Sequence, residues 1–316
     1  MEMESTLKKG GGETELMHPG HVACPGCGAA IAMKLALKAL GPQTMVVIPA
    51  CCWGIIAGAY PQSSLGVPLL QMAFAAAGAA ASGLRAALDA RGEDETFVMA
   101  WAGDGGTFDI GLQSLSGAVE RNEDFIYVCY DNEAYMNTGV QRSSATPYGT
   151  RTTTTPGEQW KRSGKKNIIE IMAAHRIPYA ATASIAYPHD LIRKFKKAAR
   201  LKGGSRFIHL YAPCPTGWGI PSEVSVRVAR LAVQTNSFPL YEVENGLHYT
   251  LNFKGDAPVG DYLGPQGRFK HLSSQDMDAI QKRVDEDWEV LLKRIDSVKL
   301  LKQPAEMRSY DRYREH

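Results

Sequence analysis

Phe97-Val98-Met99-Ala100-Trp101 runs through Ala102 into Gly103-Asp104-Gly105-Gly106, and a helix-forming stretch, Ile110 to Arg121, follows. An apolar run without polar alternation is the pattern of a strand buried on both faces, the habit of a parallel sheet. The glycines after it let the backbone approach a phosphate. The helix start adds free N–H groups and partial positive charge. Asp104 then stands where a strand ends, the usual ligand position of an open α/β sheet. Alone, Gly-Asp-Gly is also an ordinary turn. The next apolar run, Phe125 to Tyr130, ends in Asp131-Asn132, and Asn132 follows Asp104 by 28 residues. A β-α-β unit of that size returns the chain beside its start. Asp104 and Asn132 can then converge on one hard cation with oxygen ligands, and Mg²⁺ or Ca²⁺ bound to a diphosphate suits them.

Outward from this unit the alternation continues. Met45 to Ile48 and Phe207 to Tyr211 read as buried strands, and Tyr179 to Ile185 as a weaker one. Helical patterns cover Ala29 to Leu40, Met72 to Ala90, Ile168 to His175, His189 to Leu201 and Val224 to Gln234. This order predicts an α/β fold, a mainly parallel sheet with helices on both faces. Asn137 to Lys166, with Thr152 to Thr155 in a row, is too long for an ordinary connection and reads as a functional loop. After Asn236 the pattern turns irregular as far as Gly267. A last amphipathic helix begins near Ser273, with Met277, Ile280, Val284, Trp288, Leu291 and Ile295 on one face. Ser273 with Asp276 resembles a capping box. The expected division is a cofactor domain over residues 1–236 and a C-terminal extension over 237–316 that ends in this helix.

The chain has 316 residues and a net charge of +2, with 44% hydrophobic and 22% charged residues. That balance argues against global disorder and gives no support for a nucleic-acid or anionic-membrane binder. From Ala39 to Leu84 there is no Asp, Glu, Lys or Arg. Pro42, Pro49, Pro61 and Pro68 interrupt that stretch, and its most apolar part is rich in Ala and Gly, so a buried wall fits better than a bilayer span. The first residues carry Glu2, Glu4, Lys8 and Lys9 with no apolar run, so no signal peptide is expected.

Six cysteines form the second constellation. Cys24-Pro25-Gly26-Cys27 precedes a helix, Cys51-Cys52 follows the first strand, and Cys214 follows the fourth. Three sheet ends can bring these thiols together. Four thiolates suit Zn²⁺ or an iron–sulfur cluster, while a C-x-x-C can equally be a redox disulfide or paired buried cysteines. Cys129, inside a strand pattern, reads as a packing residue.

Gly-Asp-Gly followed at this distance by Asn resembles the diphosphate motif of thiamine diphosphate enzymes. Five segments together are more specific: His21 to Gly28, Pro49 to Gly54, Trp101 to Gly106, Asp131 to Gly139 and Cys214 to Trp218. With them the chain resembles the pyruvate:ferredoxin oxidoreductase beta subunits, within the wider 2-oxoacid:ferredoxin oxidoreductase family. The resemblance implies a thiamine diphosphate-binding fold, in which Asp104, Asn132 and the Ala134 carbonyl hold Mg²⁺ and Gly103, Gly105 and Gly106 line the diphosphate. It implies a [4Fe-4S] cluster on Cys24, Cys27, Cys52 and Cys214, with Cys52 chosen over Cys51. Asn137 is placed beside the substrate, where its side chain can hydrogen-bond a developing oxyanion; it can also be a loop-turn residue.

The implied reaction is oxidative decarboxylation of a 2-oxoacid, with pyruvate as the default and oxalate, 2-oxoglutarate or a branched 2-oxoacid as alternatives. Coenzyme A takes the acyl group and ferredoxin the electrons, a reaction of anaerobic metabolism in the cytoplasm. An alpha-type partner subunit is expected to bring the Glu that activates thiamine, and another subunit further iron–sulfur clusters. The competing class is a non-redox thiamine enzyme with a structural zinc site.

Overall fold

The computed structural model describes residues 15–59 and 61–301. The N-terminal segment expected to lack a signal peptide lies outside them up to residue 14.

The chain alternates as read. In order come α1 (Gly28–Leu40), β1 (Thr44–Pro49), α2 (Cys52–Ile56), β2 (Leu69–Met72), α3 (Ala77–Asp89) and β3 (Phe97–Gly103). Then follow α4 (Leu112–Glu120), β4 (Ile126–Asp131), α5 (Ile168–Ala174), β5 (Tyr179–Ser184), α6 (Pro188–Arg200) and β6 (Arg206–Tyr211). The rest is α7 (Pro215–Trp218), α8 (Ser225–Gln234), β7 (Tyr241–Glu244), β8 (His248–Leu251), α9 (Val259–Leu263) and α10 (Ser274–Leu301). The eight strands form one sheet in the order β2-β1-β3-β4-β6-β5-β7-β8. The first six are parallel, and the β7–β8 hairpin closes that edge in antiparallel pairing.

Strand residues alternate between two cores, as they must when both faces are covered. Met99 and Trp101 of β3 join Met33, Leu37 and Phe195 from α1 and α6. Val98, Ala100 and Ala102 join Ala81, Leu115 and Met172 from α3, α4 and α5. The packing role expected for Cys129 agrees with its complete burial in the second core.

Two differences from the sequence reading have local causes. Helix α3 starts at Ala77, not Met72, because Leu69–Met72 pairs with β1 as an edge strand. Its residues are half-buried or exposed, and its apolar run merges in sequence with the Ala-rich helix that follows. Residues 237–267 are not irregular throughout: they hold β7, β8 and α9, and the hairpin extends the same sheet. Residue 236 thus divides two sequence textures while the sheet continues across it. Further on, the Ser273 capping box forms: Asp276 N donates to Ser273 Oγ at 3.2 Å and Ser273 N to Asp276 Oδ2 at 2.9 Å.

Candidate functional site: oxygen ligands and thiols at one sheet edge

The carboxyl ends of β1, β3, β4 and β6 meet at one edge, where open α/β sheets bind ligands. Strands β3 and β4 are parallel neighbours, with Gly103 opposite Tyr130, so Asp104 and Asn132 emerge side by side. Gly103, Asp104, Gly105, Gly106, Asn132 and Ala134 line one pocket, together with Cys51, Cys52 and Asn137. Asn137 is on its exposed rim.

Gly105 and Gly106 open a wide helical turn, Gly105–Ile110. Single wide turns of this kind recur at functional sites. A Cβ on Gly105 would stand 2.5 Å from the Tyr135 ring, so only glycine lets the pocket wall lie this close.

The amide of Asn132 points one end at Asp104 Oδ1, 3.0 Å away, and at the Ala134 carbonyl, 3.1 Å away. Turned nitrogen-first, it donates to both. Turned oxygen-first, it stands from each of the other two oxygens at the spacing of adjacent corners of a Mg²⁺ octahedron, about 3.0 Å for ligands at about 2.1 Å. The donor set therefore fits Mg²⁺. Ser143 holds the other Asp104 oxygen, donating from Oγ to Oδ2 at 2.5 Å. Asp104 is fully buried; burial, then the neighbouring charge of Asp131, push its carboxyl well above the usual range, a pressure that a cation would reverse.

Behind these ligands runs a buried ionic network. Asp131 Oδ2 meets Lys165 Nζ at 2.5 Å and His209 Nε2 at 2.7 Å. Burial works against the Asp131 carboxylate, but Lys165 and His209 hold its pKa down to about 2. Lys165 also reaches Glu133 Oε1 at 3.0 Å. Glu133 sits in the left-handed region at φ 66°, fixed there by its N–H donating to Asp131 Oδ1 at 2.8 Å and by Thr146 Oγ1 donating to its carbonyl at 2.7 Å. Residues 137–166 pack onto the site: Lys161 is buried and its Nζ donates to the carbonyls of Ser143, Ser144 and Thr146.

The thiols sit at the same edge. Gly28 N donates to the Pro213 carbonyl at 3.0 Å, and a Cβ on Gly28 would stand 2.8 Å from the backbone of Ala212 and Pro213. This close approach lays the start of α1, and Cys27 with it, against the loop that carries Cys214. Cys52 is raised by burial first and then by the charges of Cys51, Cys214, Cys27 and Cys24, so it faces the other thiols. Cys51 is also raised by burial, but its other contacts are the Tyr130 hydroxyl and the backbone of Gly54, Trp53 and Gly103. Cys27 is raised by burial and receives the N–H groups of Ala30 and Ala29. Burial pushes Cys214 to about 11, opposed by the Gly217 N–H, which donates to its Sγ at 3.4 Å. Amide hydrogens aimed at sulfur stabilise a thiolate and are one of the levers on a cluster's potential. All six cysteines are unpaired. Among the described residues, no three His, Cys, Asp or Glu side chains are already gathered as a metal site.

Sequence reading missed Ser143, Lys165, Trp218 and Arg268. Lys165 lies in the loop judged functional and Trp218 in a quoted motif, but no spacing rule pairs Lys165 with Asp131 and Glu133 or Trp218 with Asn132.

Fold and pocket together define a thiamine diphosphate-binding enzyme domain. Residues 56–210 match the family model described as thiamine pyrophosphate enzyme, C-terminal TPP binding domain. That span contains Asp104 and Asn132 and excludes Cys24, Cys27, Cys52 and Cys214. Relatives extend the likeness beyond that span. The ketoisovalerate oxidoreductase subunit VorB of Pyrococcus horikoshii is 55% identical over 87% of this chain and 91% of its own length. The pyruvate synthase subunit PorB of Methanothermobacter marburgensis is 50% identical over 86% of this chain and 96% of its own. The chain belongs to the 2-oxoacid:ferredoxin oxidoreductase family. A solved 2-oxoglutarate:ferredoxin oxidoreductase from Magnetococcus marinus shares the fold, with a TM-score of 0.54 and 24% identity. That match covers 62% of this chain and 65% of the other, just under two thirds of its length. Among the described residues no helix is long and apolar enough to cross a membrane.

Proposed function

We propose that this chain is the half of a 2-oxoacid:ferredoxin oxidoreductase that holds the diphosphate of thiamine diphosphate, its Mg²⁺ and a [4Fe-4S] cluster. The overall reaction converts pyruvate, coenzyme A and two oxidised ferredoxins to acetyl-coenzyme A, CO₂, a proton and two reduced ferredoxins. The observation that carries this reading is the convergence of three oxygens, from Asp104, Asn132 and Ala134, beside four thiols on one sheet edge.

Bound thiamine supplies the electron sink for decarboxylation, and a cluster accepts electrons singly. The chain's residues do the rest. Asp104, Asn132 and the Ala134 carbonyl hold the cation, with Ser143 orienting Asp104. Gly103, Gly105 and Gly106 admit the diphosphate, and the turn from Gly105 presents its N–H groups. Asn137, at the rim, donates a hydrogen bond to the substrate oxygen as negative charge develops there. Cys24, Cys27, Cys52 and Cys214 ligate the cluster; the separate surroundings of Cys51 favour Cys52 in that set.

An alpha-type partner subunit completes the thiamine site and brings the activating Glu. Exposed apolar side chains support such a contact: Val22 near Cys24, Ile55 near Cys52 and Ile110 at the end of the Gly105 turn are 66%, 60% and 52% exposed. A further subunit with more clusters passes electrons to ferredoxin. Six unpaired cysteines suit a reducing cytoplasm.

A second reading has a specific observation behind it. The ketoisovalerate oxidoreductase relative is 55% identical and the pyruvate synthase relative 50%, which favours a branched 2-oxoacid as an alternative substrate. Assay of the anaerobically purified complex against a panel of 2-oxoacids, with and without coenzyme A, decides. Coenzyme A-dependent reduction of ferredoxin by pyruvate supports the first reading, and preference for the branched acid replaces it with the second. Turnover of oxalate without coenzyme A overturns both.

A further inference from the structure

The C-terminal region returns to the cofactor edge through one buried side chain. Arg268 lies in a short turn, Gly267–Phe269, with its guanidinium 3.9 Å over the Trp218 ring. Its Nη2 donates to Glu133 Oε2 at 2.5 Å and to the Tyr262 hydroxyl at 3.1 Å, and its Nε to Gln266 Oε1 at 2.9 Å. Trp218 closes the short helix that starts after Cys214, and its Nε1 donates to the Asn132 carbonyl at 2.9 Å. Met136 occupies the space beside Gly217, its sulfur 2.1 Å from where a Cβ would stand.

Two loops are thus tied at three points. One, Asn132 to Met136, carries two of the three proposed Mg²⁺ ligands. The other, Cys214 to Trp218, carries a proposed cluster ligand. The ties run through Arg268 to Glu133, through the indole N–H to the Asn132 carbonyl, and through Met136 to Gly217. We propose that Arg268, acting through Trp218 and Glu133, is a positioning residue that fixes the Mg²⁺–diphosphate loop and the cluster loop relative to each other. Loss of the Arg268 and Trp218 ties is then felt at both cofactors. The arrangement suits arginine: one planar group stacks on the indole and hydrogen-bonds the carboxylate edge-on, which an ammonium cannot do at once. The Glu133 and Arg268 side chains are equally buried, and the Glu133 carboxylate pairs with Arg268 on one oxygen and Lys165 on the other.

This inference rests on the two-cofactor reading above. The test uses the anaerobic complex carrying Arg268→Met, Arg268→Lys or Trp218→Phe. Two properties are read: the dissociation constant of thiamine diphosphate with Mg²⁺, and the electron paramagnetic resonance spectrum of this chain's reduced cluster. Arg268→Met is expected to weaken thiamine binding about tenfold or more and to alter the cluster spectrum. Trp218→Phe keeps a ring, removes one N–H, and moves both properties less in the same direction. Arg268→Lys restores part of each. A variant that changes one property and leaves the other at the wild-type value overturns the inference. If Arg268→Met does not assemble, Trp218→Phe decides by the same criterion. A wild-type complex lacking the cluster refutes the earlier reading instead, because it fails before any variant is compared.

Discussion

The oxygen ligands and the thiols share one sheet edge but are prepared differently. On the oxygen side the chain has done the work in advance. Asp104 and Asn132 leave neighbouring strands in register, Ser143 fixes one carboxylate oxygen, and a buried ionic network holds Asp131 and Glu133 on either side of Asn132. On the thiol side the chain brings three loops close, but among the described residues no three ligand side chains are gathered as a metal site. Adjacent parallel strands fix their own ends through the register of their ladder. Loops from β1, β6 and the segment before α1 meet through packing and the Gly28 N–H to Pro213 carbonyl bond. On the proposed reading, the oxygen side needs only the turn of one amide, and the thiol side is completed by the proposed cluster.

Perturbations should therefore separate the two sides. The largest effect is expected from Asp104→Asn, which removes a charged ligand: thiamine diphosphate binding in Mg²⁺ should fall by about 100-fold or more, while iron content stays at wild type. Ser143→Ala removes only the hydrogen bond that orients Asp104, and equilibrium dialysis should show Mg²⁺ affinity lowered about tenfold. Gly28→Ala strikes the other side. The added methyl meets the backbone of Ala212 and Pro213 and should cost about 1–3 kcal/mol by overpacking. Iron occupancy should drop with thiamine affinity kept; a drop in thiamine affinity alone would erase the distinction between the two sides.

The smallest effect lies far from either side. Glu242 of β7 accepts from Lys197 and Arg193 of α6, from the Tyr179 hydroxyl and from Asn252. Burial opposes its ionisation, yet these partners lower its pKa from 4.5 to about 2. The stability it contributes is complete above about pH 4.5 and is lost as pH falls toward 2. Half-exposed Arg193 and Lys197 are screened by solvent, so about 2 kcal/mol is the ceiling. Urea midpoints at pH 5 and pH 3 should differ less in Glu242→Gln than in wild type, with cofactor binding at pH 7 equal in both.

The same contrast explains what sequence reveals. Strand β3, Gly103-Asp104-Gly105-Gly106 and Asn132 are legible because apolar run, glycine turn and spacing all lie within one β-α-β unit. The cysteines are legible as a set because few residue types share their chemistry. The β7–β8 hairpin is hidden because its strands are four residues each and carry Glu and His among the apolar positions. Arg268 is hidden for a different reason. It joins Glu133 across 135 residues of chain, and nothing local to either residue announces the pair.

The most direct test of a thiol site beside the oxygen site compares Cys52→Ala with Cys51→Ala in the anaerobically purified complex. Iron, acid-labile sulfide and bound thiamine diphosphate are measured in each. Cys52→Ala should lose about four iron atoms per copy of this chain and keep its thiamine, while Cys51→Ala keeps both. Iron and sulfide unchanged in Cys52→Ala would contradict the placement of a cluster on this edge.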